Sequence, residues 1–314
     1  GGKSFRGAKD AELIRENAGY AVAEGETQGF GKESRIRVFV GGQPGARKAR
    51  TVRVNGVDYG RAANAAGTFT AVVFDPGHLS LVKGSPEGRR RFLDAALCQL
   101  YPGYVTLLRR YSRLVTQKNA LLKSYWQTPD ANGLLDVFDE KLAESGAAVS
   151  AKRQEYLALI EPEITGTYRD IASGSETLAI QYEPSFEPEK GLAPVLRESR
   201  ARDIAAGFCT AGPHREDFSI SIDGRAAKVF ASQGQQRSAV LSLKLAEAAG
   251  AQKITGEHPV MLLDDVLSEL DRRRQDFVLN RISSGQVMIT CCEDGISDKL
   301  RAGAVFQIQN GKII

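Results

Sequence analysis

The sequence is most informative at Pro259-Val260-Met261-Leu262-Leu263-Asp264-Asp265-Val266-Leu267-Ser268-Glu269-Leu270-Asp271, where a short apolar run ends in two adjacent carboxylates. The run is long enough for a buried parallel strand and too short for a core helix. At the carboxyl end of such a strand the two acids would lie at the mouth of an α/β sheet, where ligands usually bind. Mg²⁺-nucleotide hydrolysis suits this position, with Asp264 facing the magnesium shell and Asp265 polarising the attacking water. The alternative is a strand that ends in two solvated acids.

The composition is that of a soluble globular protein of 314 residues, enough for one large or two ordinary domains. A net charge of +4 permits a nucleic-acid partner without arguing for one. No apolar run reaches membrane-spanning length and the first residues lack the apolar region of a signal peptide, so no membrane partner is expected. None of the four cysteines has a Cys-x-x-Cys spacing, which predicts reduced thiols in a cytoplasmic protein.

The first four residues, Gly1-Gly2-Lys3-Ser4, look like the tail of a phosphate-binding Walker A loop. Such a loop needs a strand before it and an apolar helix after it. Nothing precedes Gly1 here, and the polar run 5–10 follows Ser4, so this interpretation is rejected. No other Gly-x-x-x-x-Gly-Lys-[Ser/Thr] motif occurs in the chain.

The region from about Gly19 to Val57 has the alternating pattern of β-strands, with a hairpin-type turn at Asn55-Gly56. Its arginines predict either a solvated sheet face or, as the minority interpretation, contacts with phosphate. A helical region follows, with two helices between Glu87 and Trp126 broken at Pro102-Gly103, and a long helix from Gly133 to about Ser173. The densest basic clusters there are Arg89-Arg90-Arg91 and Arg109-Arg110-Arg113, which fit a solvated helix face and a phosphate-tracking patch equally well.

Two further motifs precede the two aspartates. In Gly212-Pro213-His214-Arg215-Glu216-Asp217, a histidine and an arginine share a Gly-Pro turn with two acids, which makes a site plausible. In Ser232-Gln233-Gly234-Gln235-Gln236-Arg237-Ser238, Ser232 is a good N-cap, and the free amides of the first helical turn would form an anion site. The alternative is an ordinary capped amphipathic helix, which the pattern predicts to end at Gly250.

These three motifs, in this order and spacing, resemble the RecF recombination-repair ATPases. Earlier matches are Gly2-Lys3-Ser4-Phe5-Arg6 with Glu12-Leu13-Ile14, and Val82-Lys83-Gly84-Ser85-Pro86 with Arg89-Arg90-Arg91-Phe92-Leu93-Asp94. The resemblance implies an α/β fold, an ABC-ATPase-like (P-loop NTPase) head with a mixed sheet and an inserted α-helical arm. We expect an N-terminal lobe at residues 1–78, the helical arm at 79–175 and a C-terminal lobe at 176–314.

The resemblance also assigns roles to residues. Such heads dimerise around two ATPs, and each site is completed by the partner's signature motif, here Ser232, Gln233, Gly234, Gln235 and Gln236. Asp264 is the Walker B acid, which would hold Mg²⁺ indirectly, and Asp265 is the water-polarising base. The segment from Ser268 to Asp271 is the D-loop. His214 and Arg215 are candidates for a position near nucleotide or DNA.

The expected cofactors and partners follow from the same resemblance. The family uses ATP and Mg²⁺, forms an ATP-dependent homodimer, and binds double-stranded DNA and gap junctions. It acts with RecR and RecO to help load RecA on single-stranded gaps. The candidates for DNA contact are Arg89, Arg90, Arg91 and Arg110.

The sequence departs from the family pattern at three places. The family's Walker A loop lies upstream of Gly2-Lys3-Ser4, and on the order of 40 residues carrying it are absent, so this chain is expected to bind no ATP by itself. The family's usual Pro-Glu-Asp-Leu reads Pro76-Gly77-His78-Leu79, and Cys291 stands where transporter ATPases carry a histidine. The alternatives to a DNA clamp are the energising ATPase subunit of an ABC transporter and a nucleotide-free interaction module.

Overall fold

The computed structural model describes residues 9–41, 49–282, 285–292, 303–310 and 312–314. The segment Gly1-Gly2-Lys3-Ser4 lies outside these residues. The strands are β1 (Tyr20–Gly29), β2 (Lys32–Gly41), β3 (Ala49–Val54), β4 (Val57–Arg61), β5 (Ala71–Phe74), β6 (Leu178–Glu183), β7 (Asp217–Ile222), β8 (Arg225–Ala226), β9 (Val260–Asp264), β10 (Val287–Thr290), β11 (Ile308–Gln309) and β12 (Lys312–Ile313).

The α-helices are α1 (Ser80–Lys83), α2 (Pro86–Leu100), α3 (Tyr104–Lys123), α4 (Ala131–Ile171), α5 (Leu192–Ala206), α6 (Ala227–Phe230), α7 (Gln233–Thr255) and α8 (Arg272–Arg281). Short 3-10 turns lie at Asp10–Leu13, Ala62–Ala65, Pro76–Leu79, Tyr125–Gln127 and Leu267–Glu269. Within the described ranges, no helix is both long and apolar enough to cross a membrane.

The first four strands form an antiparallel sheet in the order β1-β2-β3-β4. The Asn55-Gly56 turn between β3 and β4 is confirmed, since both residues have positive φ (51° and 83°). On one face of the sheet Arg35 lies opposite Glu26, and Arg37 lies opposite Glu24. Each of these arginines forms an ion pair with a glutamate on β1, at 2.5 Å for Arg35 and 3.7 Å for Arg37. The matched charges favour a solvated sheet face over a phosphate-binding one.

The strand predicted before the two aspartates is confirmed as β9, the middle strand of the parallel sheet β10-β9-β5. Met261 and Leu263 on β9 are buried, with 5% and 2% of their surface exposed. The fold combines this parallel sheet with a separate antiparallel sheet formed by β6, β7 and β8. A short antiparallel hairpin, β11 and β12, turns at Asn310.

The helices agree with the pattern except at the end of α7. Gly103, with φ of 85°, separates α2 from α3 as expected. Helix α4 runs unbroken for 41 residues and includes Pro162. Helix α7 does not end at Gly250 but continues to Thr255, where Gly256 in the left-handed conformation caps it. Gly250 has a packing role instead, because a Cβ there would lie 2.5 Å from Cγ2 of Ile160 on α4.

The main hydrophobic core joins the head to the base of the helical arm. It unites the parallel sheet with α2, α7 and the second half of α4, through residues such as Phe74, Leu93, Ile160, Leu241 and Leu263. A second core lies farther out between α3, the first half of α4 and α5. The boundaries at 79 and 176 remain a proposal, and the second core favours assigning α5 to the arm.

Candidate functional site

The two aspartates lie at the edge where the parallel strands β9 and β10 end. Asp264, the last residue of β9, pairs in register with Thr290, the last residue of β10. The Thr290 hydroxyl donates to Oδ1 of Asp264 at 2.8 Å and so orients this carboxylate. Both acids are only half-buried, so water and a cation can reach them.

Asp265 is held in a left-handed backbone conformation with φ of 54°, which aspartate tolerates better than most residues. Its N–H lies 3.1 Å from both the carbonyl and the hydroxyl oxygen of Thr290. The Ser268 hydroxyl lies 2.9 Å from the carbonyl oxygen and from Oδ1 of Asp265. The acid predicted to polarise water is therefore anchored to both β10 and the segment predicted to be the D-loop.

The predicted D-loop folds as a 3-10 turn that leads into α8. Asp271 caps α8 and accepts the N–H of Arg274 at 3.0 Å. This backbone hydrogen bond and the nearby Arg274 guanidinium lower the pKa of Asp271. Gln275 donates to the carbonyls of Leu267 and Leu270 at 2.9 and 3.2 Å, which fixes the turn against the helix.

The predicted signature begins α7 with a capping box, as its sequence indicates. The Ser232 hydroxyl accepts the Gln235 N–H at 3.2 Å, and the Gln235 side chain accepts the Ser232 N–H at 2.8 Å. Gln235 also donates to Glu176 at 3.0 Å, whereas Gln236 is buried and donates to the Ala231 carbonyl at 2.5 Å. Ser232 and Gln233 are exposed at the helix start. The beginning of α7 is thus rigid, electropositive and accessible.

Mg²⁺ fits this edge only with additional oxygen ligands. In the part of the chain that the structure describes, no group of three or more His, Cys, Asp or Glu side chains could hold a metal ion. Asp264 and Asp265 supply carboxylates, and proteins commonly bind Mg²⁺ through one or two carboxylates together with water and substrate phosphates. The two acids therefore suit a nucleotide-bound Mg²⁺ better than a dedicated metal cage.

The structure places His214 and Arg215 in a junction with Tyr111 of the arm and with Phe208 and Cys209. His214 Nδ1 lies 2.6 Å from the Tyr111 hydroxyl, and Nε2 lies 3.0 Å from the Cys209 carbonyl. Because that carbonyl only accepts, Nε2 carries the proton and Nδ1 accepts from Tyr111. Burial lowers the pKa of His214, which favours this neutral form. Arg215 packs over the Phe208 ring at 4.9 Å and donates to the same carbonyl.

The neighbouring acids complete this junction, which we call the arm–lobe junction (residues 212–217 and their partners). Glu216 is 2% exposed and accepts from Ser150 at 3.0 Å and from Tyr182 at 2.5 Å. Asp217 accepts two hydrogen bonds from Arg89, both at 2.7 Å. Sequence patterns did not identify this role, because the partners lie far away in the chain.

Two of the four arginines predicted to contact DNA belong to the same junction. Arg89 is only 6% exposed, and four of its donor contacts go to Asp217 and to the carbonyls of Leu81 and Gly84. Arg90 donates to the Glu216 carbonyl at 2.7 Å, and burial lowers its pKa. These contacts remove Arg89, and largely Arg90, from the surface available to a partner.

Arg91 and Arg110 remain at the surface. The side chain of Arg91 is 76% exposed beside Glu87, and that of Arg110 is 53% exposed beside Glu144. Exposed ion pairs of this kind are weak, so a phosphate can replace the carboxylate. These two arginines are the surviving candidates for contact with DNA.

Two of the positions at which the sequence departs from the family pattern lie within the described residues. In Pro76-Gly77-His78-Leu79 the preceding Asp75 accepts the Gly77 N–H at 2.7 Å and pairs with His78 at 3.0 Å. Cys291 follows β10 and is exposed, and none of the four cysteines, all of which lie in the described part of the chain, forms a disulfide.

A comparison with protein-family models gives no match. The chain is 37% identical to the DNA replication and repair protein RecF of Agathobacter rectalis, an alignment that covers 99% of this chain and 85% of the relative. It is 34% identical to the RecF protein of Ruminiclostridium cellulolyticum, with 99% and 86% covered.

Solved structures give the same result. The chain matches the structure of the recombination mediator protein RecF-ATPrS in the RecFOR pathway with a TM-score of 0.89 and 32% identity, covering 99% of this chain and 84% of the other. The RecF-ATP structure matches with the same TM-score and identity. The expected α/β head with an inserted helical part is thereby confirmed.

Proposed function

Because the chain belongs to the RecF family of DNA replication and repair proteins, we propose that, combined with a Walker A segment, it acts as an ATP-dependent dimeric clamp on double-stranded DNA and gap junctions. RecO and RecR are the proposed partners, through which it would help to load RecA. The proposed location is the cytoplasm.

One observation carries this proposal: the acid pair Asp264-Asp265, the D-loop and the signature helix α7 form one connected group on the head. Asp265 is bonded to Ser268 of the D-loop at 2.9 Å. The capped first turn of α7 leaves Ser232 and Gln233 exposed, where they can approach a nucleotide held by a second copy. An ATP-gated dimer needs these parts together, whereas a solvated strand end needs none of them.

The residues divide the chemistry between them. Asp264, oriented by Thr290, would hold Mg²⁺ through water, and Asp265 would accept a proton from the attacking water. ATP with Mg²⁺ supplies the phosphoanhydride bond and the charge that neutralises its phosphates. The amides at the start of α7 would face the terminal phosphate bound by the partner, since a helix N-terminus favours an anion.

DNA binding is tested by reversing the charge of the two exposed arginines. We expect Arg91→Glu and Arg110→Glu each to weaken binding to a duplex and to lower the slope of log K against log[salt] by about 1, the contribution of one phosphate contact. Fluorescence anisotropy over a series of salt concentrations measures both quantities. Arg37→Glu, on the sheet face where glutamates match the arginines, is the control and should leave the slope unchanged. Unaltered slopes for both arm variants would contradict this assignment.

ATP binding by the 314-residue chain itself is a separate test. The sequence contains no complete Gly-x-x-x-x-Gly-Lys-[Ser/Thr] loop, which supplies most phosphate contacts in such sites. We therefore expect titration calorimetry with ATP and Mg²⁺ to show no saturable binding. Micromolar affinity would prove this expectation wrong. If the chain also failed to bind DNA, the nucleotide-free interaction module would become the better proposal.

A further inference from the structure

Arg274 connects the end of the predicted D-loop with the predicted signature helix. It lies on the first turn of α8, and its side chain is 26% exposed. Its Nε donates to the Ser238 hydroxyl on α7 at 2.9 Å. Its Nη1 forms an ion pair with Asp271, the residue that ends the D-loop and caps α8. One guanidinium therefore touches both elements.

The contact continues to the beginning of α7. The Ser238 hydroxyl, which accepts from Arg274, donates to the Gly234 carbonyl at 3.0 Å. Gly234 also faces the guanidinium directly, because a Cβ at this position would lie 3.4 Å from Nη2 of Arg274. The Ser238 hydroxyl thus links Arg274 to the first turn of α7, and the guanidinium lies beside Gly234.

On the other side, the chain of contacts reaches the acid pair. Ser268 is bonded to Asp265 at 2.9 Å, and the D-loop turn is fixed to α8 by the two hydrogen bonds from Gln275. These contacts form a continuous path from Asp265 through the turn to α8, and from α8 through Arg274 to α7.

We infer that Arg274 is a positioning residue that couples the D-loop to the signature helix, so that an event at the acid pair changes how the same chain presents its signature to a partner's nucleotide. This inference rests on the roles proposed above for Ser268, Asp271 and Ser232. Arginine suits the task because its planar fork presents donors to two acceptors in fixed directions, whereas lysine carries a compact ammonium on a flexible stem.

Hydrogen exchange in the nucleotide-free chain tests the coupling. Asp271→Asn weakens the ion pair to Arg274 and should raise the exchange rate of the α7 amides at 235–238 about tenfold, the effect of losing one charged hydrogen bond. Arg274→Met should raise the same rates by a similar factor. In the Arg274→Met background, Asp271→Asn should then add nothing at α7.

Two further variants distinguish coupling between the D-loop and α7 from a general loss of stability in this region. In Arg274→Lys the remaining ion pair with Asp271 should keep the amide exchange rates of the D-loop at their wild-type values. The α7 amides should exchange as fast as in Arg274→Met. Arg273→Met removes an equal charge from an exposed neighbour on α8 and should change neither element.

The inference is overturned if Asp271→Asn leaves α7 unchanged in the wild-type chain, or if it acts equally with and without Arg274. Because the measurement requires neither ATP nor a second copy, it does not depend on clamp activity. If the chain, combined with a Walker A segment, failed to dimerise with ATP in solution, the proposed function alone would be refuted.

Discussion

Lys118→Met is expected to lower the free energy of unfolding by about 3–5 kcal/mol, because it leaves the buried carboxylate of Asp203 without a cation and leaves Asp139 paired with Arg200 alone. Lys118 on α3 is fully buried and lies 2.8 Å from Oδ1 of Asp139 on α4 and 3.0 Å from Oδ2 of Asp203 on α5. This one ammonium therefore connects the three helices that surround the second core. Denaturant unfolding followed by circular dichroism measures the loss.

Lys123→Met is the matched control on the same helix. Lys123 is exposed, so its replacement should change the free energy of unfolding by less than about 0.5 kcal/mol. A combined Lys118→Met, Asp139→Asn, Asp203→Asn variant should recover part of the lost stability, since no unpaired charge remains buried. If Lys118→Met were as stable as Lys123→Met, the three-helix ion pair would have no stabilising role.

The pH dependence of this effect has a definite sign. Burial alone would lower the pKa of Lys118, but the hydrogen bonds and charges of its partners outweigh burial and raise it. A raised lysine pKa gives stability that is fully present below the unfolded-state pKa of about 10.4 and is lost as the pH rises through the folded-state value. The difference between wild type and Lys118→Met should therefore be constant near neutral pH and shrink in strongly alkaline solution.

Arg153→Met is the second substitution for which we expect a loss of about 3–5 kcal/mol. Arg153 on α4 is 3% exposed and forms two hydrogen bonds of 2.8 Å with Asp94 on α2. It also donates to the Pro213 carbonyl at 2.6 Å, so it holds the arm–lobe junction to both helices. Without it, Asp94 loses both hydrogen bonds to the guanidinium and keeps the one from the Tyr104 hydroxyl, at 2.7 Å.

Two further variants test this prediction by thermal and denaturant unfolding. Arg153→Lys keeps the charge but loses the paired geometry, and we expect an intermediate loss of about 1–3 kcal/mol. Lys152→Met removes a charge from the adjacent, more exposed position and should cost less than about 0.5 kcal/mol. Equal stabilities for the Arg153 and Lys152 variants would show that the junction does not depend on Arg153.

The local patterns in the sequence predicted their structures well. A short apolar run identified β9 as a buried parallel strand, and Ser232 with Gln235 predicted the cap of α7, because both signals depend on residues close in the chain. The pair Pro102-Gly103 likewise predicted the break between α2 and α3. In each case the physical cause is contained within about one turn of backbone.

Residues whose roles depend on distant partners could not be assigned in this way. Gly250 looked like a helix end, and only the proximity of Ile160 on α4 shows why a glycine is needed there. His214 looked like a site residue, but its ring is bonded to Tyr111 across the arm–lobe junction. Nothing near either residue in the sequence indicates these contacts.

Arg89 is a different case, because its burial had a signal in the sequence. It precedes Phe92, Leu93 and Ala96 by three, four and seven residues, which places it on the apolar face of α2. Helical phase alone therefore distinguishes Arg89 from Arg91 within the arginine triplet. The contact between Arg274 and Asp271 also had a signal in the sequence. The two residues are three apart, which is the spacing between a helix cap and the end of the first turn.

The close packing at Gly250 gives α4 the geometry of a lever. Its fulcrum is Ile160, where α4 lies against α7, and its far end is Ala131, which packs against α3 roughly 44 Å away along the helix axis. A tilt of about 5° at the fulcrum would carry the tip of the arm through about 4 Å, the sine of that angle times the axial length. A tilt too small to alter packing inside the head thus moves the tip of the arm by about 4 Å, which is about three-quarters of the rise of one helical turn.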